Sequence, residues 1–122
     1  MNERHNIWEF RTAAGHTAGT DLVGFHVEAT DGAIGKVDKL SEEVGEQYLV
    51  VDTGPWIFGR RVLLPAGTVT RIELGEQKVY VDRSKDEIKH SPEFDDAEPH
   101  QENDTRERFG PYYDRLYGGR IL

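Results

Sequence analysis

Residues 21–40, DLVGFHVEATDGAIGKVDKL, followed by 48–67, YLVVDTGPWIFGRRVLLPAG, and 68–92, TVTRIELGEQKVYVDRSKDEIKHSP, decide the fold. Short runs of β-branched and aromatic residues alternate here with Asp-Gly, Gly-Pro, Pro-Ala-Gly and Leu-Gly-Glu punctuation, the pattern of strands joined by tight turns. Glycine at so many junctions supplies backbone angles that other residues resist, as a strongly bent sheet requires. The pattern predicts a mainly β protein, a small, strongly bent antiparallel β-barrel with a short C-terminal helix and flexible termini.

Strands are expected over 22–29, 34–40, 48–51, 61–64, 68–74 and 78–82. Thr30-Asp31-Gly32-Ala33 is the strongest hairpin signal. Gly35, just after it, reads as a bulge that lets the sheet bend, with close approach of a ligand as the alternative. Ser41 to Gln47 reads as a charged loop. Tyr48 to Val51 is a continuous apolar run, the mark of a strand buried on both faces. Ser84 and Glu87 have capping-box spacing, so a short helix should begin there, anchored by Ile88 and stopped at Ser91-Pro92.

Outside this block the composition changes. Residues 1–20 read as an N-terminal arm with Ile7, Trp8 and Phe10 as its apolar group, and 21–92 as the barrel domain. Residues 93–110 are rich in carboxylates and poor in apolar surface, and read as an acidic disordered linker. Residues 111–122 return to aromatics, with Tyr112, Tyr113, Leu116 and Tyr117 spaced for one sticky helical turn.

Charge and composition narrow the function. The chain has 122 residues, no cysteine and a net charge of −8. A core this small often gains from self-association, and no disulfide or thiolate metal site can help it. The acidic balance opposes general attraction to phosphate backbones. With no apolar run near the roughly 20 residues of a membrane span and no secretory signal at the N-terminus, a cytoplasmic location is expected.

Order and spacing of the motifs, with Gly24 and Val27, DGAIGKV at 31–37, YLVVDTG at 48–54, RRVLLPAG at 60–67 and the VYVDRSKDEIKHSP ending, resemble the PRC-barrel family. The resemblance spans about residues 22–92. It implies a small bent barrel with a short terminal helix, in agreement with the pattern above. Barrels of this family occur in the photosynthetic reaction centre H subunit, in the ribosome maturation factor RimM and in small stand-alone bacterial proteins. This chain has no membrane helix like that of the H subunit and no room for the extra domain of the ribosome factor. It looks more similar to the stand-alone bacterial members.

Candidate sites follow from residues out of place. Trp56, Ile57 and Phe58 lie between glycines where a loop is normally polar, and with Arg60 and Arg61 beside them they read as a protein-interaction surface or as core folded over the barrel end. Tyr112, Tyr113 and Tyr117 form a second interaction candidate. Arg60 and Arg61 could contact phosphate, but adjacent strand residues point to opposite faces. Asp31, Asp52 and Asp82 are explained by turns and strand ends. His90, Glu93, Asp95, Asp96, Glu98 and His100 are the densest set of possible metal ligands, without the spacing of a preorganised site. No nucleophile motif, phosphate loop or zinc signature is present, so no catalytic residue, cofactor or metal is expected. The expected function is a non-enzymatic scaffold, self-associating or docking to a protein partner. The alternatives are an RNA- or ribosome-associated factor and a small-ligand or divalent-ion binding domain.

Overall fold

A computed structural model describes residues 6–17, 19–43, 45–57, 60–94 and 104–118. Strands β1 (His26–Ala29), β2 (Gly32–Glu43), β3 (Glu46–Asp52), β4 (Arg61–Pro65), β5 (Val69–Glu73) and β6 (Lys78–Val81) precede helices α1 (Lys85–Lys89) and α2 (Asp104–Leu116). The strands form one sheet in the order β4-β3-β2-β1-β6-β5, strongly bent but not closed.

β2 bends the sheet by serving two neighbours in turn: its first residues pair with β1 and the rest with β3. The register opposite β1 slips at Ile34, between the pairs Val27↔Gly35 and Glu28↔Ala33. Gly35 is thus part of a bulge, and its φ of 152° together with a position where a Cβ would lie 2.0 Å from the Asp52 carbonyl oxygen leaves room only for glycine. Further slips at Asp38 and Thr70 add to the bend. The expected antiparallel pairing holds for every pair except β1–β6, which is parallel.

The core is filled by alternating positions. Val27 and Ala29 of β1, and Val79 and Val81 of β6, point inward. Leu49 to Val51 of β3 and Val62 to Leu64 of β4 are fully buried, because the barrel covers one face and the terminal segments cover the other. α1 starts at the predicted capping box: Ser84 Oγ accepts from Glu87 N (3.1 Å) and Glu87 Oε1 from Ser84 N (2.9 Å). Asp31 adds a further bond, accepting from Lys85 N at 2.8 Å, which ties the β1–β2 hairpin to the start of α1.

Two stretches differ from the sequence reading. The charged segment 41–47 is a long hairpin in which β2 runs to Glu43 and β3 starts at Glu46, since ladder bonds form whatever the polarity of side chains that stand in water. The acidic linker 93–110 is corrected at both ends. Phe94 is buried, and α2 begins at Asp104, because Thr105 and Phe109 lie one turn apart and are both buried against the fold. The rest of that linker, 95–103, lies outside the described residues, as do 1–5 and 119–122.

Residues 6–17 lie on the barrel. Ile7 O accepts from Gly67 N (2.7 Å) and Trp8 O from Gln47 N (2.9 Å), so the arm uses backbone donors beyond the ladder. Gly67 makes this possible: a Cβ there would lie 2.5 Å from Ile7 Cα. Arg11 fixes the arm further, donating to Gly67 O (2.8 Å) and to Asp82 Oδ2 (2.6 Å).

Candidate functional site

β3 ends at Asp52, and the loop that follows carries the first interaction candidate. Asp52 Oδ1 accepts from Gly54 N (2.9 Å), and the buried Thr53 hydroxyl sits 2.8 Å from Ile57 O and 2.7 Å from Arg60 O. Trp56 N donates to Thr53 O and Arg60 N to Ile57 O, so Thr53 pins both limbs of the loop. Pro55 is exposed and Trp56 and Ile57 are half-buried, with the Lys85 ammonium 5.2 Å from the Trp56 ring centroid. Phe58 lies outside the described residues.

Trp56 forms one wall of an open cavity of about 390 Å³. Ile34, Gly35, Asp52 and Pro55 line it with a mostly apolar surface, and His26 and Lys36 stand at its edge. The bulge at Gly35 shapes this cavity, because it brings β2 against the end of β3 directly beneath the loop.

Arg60 and Arg61 turn away from each other, as adjacent strand positions dictate. Arg60 donates to Lys89 O (2.6 Å) and Ser91 O (2.5 Å), clamping carbonyls at the end of α1 where a cation is favoured. Arg61 Nε lies 3.5 Å from Asp38 Oδ2. Both cations are engaged within the chain.

The tyrosines of the second candidate face the barrel. Tyr113 is fully buried and its hydroxyl donates to Leu63 O at 2.9 Å. Tyr112 donates to Glu87 O (2.5 Å), and Tyr117, in the turn after α2, to Asp82 Oδ1 (2.5 Å). Arg83 completes the seat, with Nη1 donating to Leu116 O (3.2 Å) and its guanidinium over the Tyr117 ring. Burial pushes the Tyr113 and Tyr117 hydroxyls well above the ordinary phenol range, and the Asp82 carboxylate adds to the shift at Tyr117. Burial raises Tyr112 as well, with Glu87 the next cause. In this arrangement the three rings pack on the chain's own fold, Tyr113 fully buried and Tyr112 and Tyr117 partly so. Their hydroxyls carry the reason, since each has a barrel oxygen within reach.

Asp82 is the residue that sequence reasoning undervalued. Read as a strand end, it accepts from Arg11 and Tyr117 and contacts Arg83, so it joins the arm, β6 and α2. The signal available was its place in the Asp-Arg pair before the capping box. Asp31 and Asp52 accept from separate backbone amides and share no site. His90 and Glu93 are exposed, Asp95, Asp96, Glu98 and His100 lie outside the described residues, and among the described residues no three acidic or histidine side chains gather as a metal cage. The described geometry is that of a rigid apolar recess beside a tryptophan.

The family model described as the PRC-barrel domain matches residues 16–88, more than half of the chain. No curated protein gives a significant match. The matched stretch contains the whole sheet and α1 up to Ile88, whereas Ile7, Trp8, Phe94 and α2 lie beyond it.

Proposed function

We propose that this chain, which belongs to the PRC-barrel domain family, is a non-enzymatic interaction and scaffold domain that self-associates or docks to a protein partner through the Trp56 loop. The observation that carries this reading is the loop itself. A large aromatic residue, packed on the core on one side and partly open on the other, stands on a backbone fixed by Thr53, next to a mostly apolar recess. A rigid aromatic anchor beside a pocket is the arrangement that dominates protein interfaces, because it gives contact area at small entropic cost. The Arg60 and Arg61 contacts and the net charge of −8 speak against an RNA-binding face. No helix among the described residues is long and apolar enough to cross a membrane.

The reading narrows the interaction surface. With Tyr112, Tyr113 and Tyr117 engaged by the barrel, the partner face is Trp56 and Ile57 with the neighbouring cavity wall, and Phe58 follows them in the sequence. The test is the full chain with Trp56→Ser and Phe58→Ser together, compared with the parent by light scattering after size exclusion at two concentrations and by pulldown. Loss of association in a variant that keeps its far-UV spectrum supports the scaffold. Unchanged association in a folded variant overturns it.

A further inference from the structure

We infer that the groove beneath α2 is an exchangeable helix-binding site whose second occupant is α2 of another copy of this chain. The inference deepens the self-association reading and rests on it, by naming a partner and a mode of contact distinct from the Trp56 face.

The groove's preferred ligand is visible because one already sits in it. α2 is held by Tyr113 to Leu63 O, Tyr112 to Glu87 O and Arg83 to Leu116 O, and the turn after it by Tyr117 to Asp82. Apolar contacts accompany these bonds. Phe109 packs on Phe94 with ring centroids 6.4 Å apart, and Gly110 faces Trp8 at a distance where a Cβ would just touch the indole. Each of these contacts joins residues from 104 onward to residues before 95. A neighbour's helix can therefore remake every one without change.

Three features favour exchange. The sheet and α1, matched at 16–88, form the barrel, and α2 is an addition to it. α2 carries Pro111 in its interior, which removes a helix hydrogen bond and leaves the segment a poor helix except against its groove. The strand ladders use no residue of α2, so removal of α2 breaks none of their backbone pairs. Nine residues, 95–103, separate Phe94 from α2 in the sequence, and a chain of that length spans at most about 30 Å. Two chains that each receive the other's helix close a two-fold pair and leave no groove empty, so assembly stops at the dimer.

The experiment uses the full chain. Isotope-labelled and unlabelled copies are unfolded together in urea, refolded at millimolar concentration, and studied by light scattering and isotope-filtered NOE spectroscopy. The expected result is a species of twice the single-chain mass with NOEs between the Tyr113 ring of one copy and the Leu63 segment of the other. Trp56→Ser should leave that refolded species intact while removing the association of chain that was never unfolded. A monomer, or a dimer whose Tyr113–Leu63 NOEs all arise within one copy, overturns the exchange. If such a dimer also disperses on Trp56→Ser, the Trp56 scaffold stands while the exchange falls.

Discussion

The Trp56 loop and α2 are both aromatic segments flanked by polar sequence, and they pack in different ways. The tyrosines of α2 carry hydroxyls, each of which finds an oxygen on the barrel, so the rings can be turned inward with no polar group stranded. Trp56 has its backbone amide tied to Thr53 O and its ring left half-exposed over a recess. Where a large ring ends up depends on whether its polar tip has a partner inside as well as on its apolar area. One segment secures the fold through its hydroxyls; the other keeps a ring partly open beside a recess.

The sharpest way to break this contrast is at Tyr113. Tyr113→Ala should cost about 3–5 kcal/mol in urea unfolding, the range for emptying a fully buried aromatic site. Tyr113→Phe keeps the ring and should cost about 1–2 kcal/mol by removing the donor to Leu63 O. A neutral Tyr113→Phe would mean that the ring alone holds α2.

Alkaline titration attacks the same seat without mutation. Tyr113 and Tyr117 have folded pKa values raised above the ordinary phenol value of about 10. The stability they contribute is therefore full below pH about 10 and falls as pH climbs toward their folded values. Circular dichroism and absorbance near 295 nm should show helix loss together with delayed phenolate formation. Phenolate appearing near pH 10 with α2 intact would contradict the inward seating.

Trp56→Ser sharpens the contrast from the other side. It should change unfolding free energy by about 1 kcal/mol or less while abolishing association of the chain that has not been unfolded and refolded, since only part of the ring is left open. A much larger stability loss would place Trp56 with the core.

Asp114 gives the smallest effect. Burial on α2 raises its carboxyl pKa, so the charged form is disfavoured in the folded state and the penalty is fully present at neutral pH. Asp114→Asn should raise Tm slightly at pH 7, and the gain should shrink as pH falls through the folded pKa toward the ordinary carboxyl value near 4. A drop in Tm at pH 7 would show that the carboxylate has a favourable partner.

Much of the barrel was legible because its signals are local. Asp31-Gly32 marks a hairpin, Ser84 with Glu87 marks a helix start, and Val79 and Val81 alternate with Tyr80. The parallel β1–β6 pair was not, because nothing near His26 says that Lys78 lies beside it. α2 was read too short because the residues before Pro111 are highly charged and poor in apolar surface. Its signal was nevertheless present in the spacing of Thr105, Phe109 and Tyr113, one face at successive turns. At the candidate site, the loop could be picked out by its three apolar residues. The recess beside it could not, because it depends on Gly35 meeting the end of β3 across the sheet.

The parallel β1–β6 pair also fixes a timetable for synthesis. β1 borders β6 on the side away from β2, so the edge beginning at His26 has no strand to complete it until residues 78–81 have left the ribosome. The β2–β3–β4 hairpins can assemble as they emerge, while β1 waits with one row of backbone groups unpaired. A stall in translation that keeps residues 78–81 inside the ribosome would therefore hold the nascent chain with that edge of β1 unpaired.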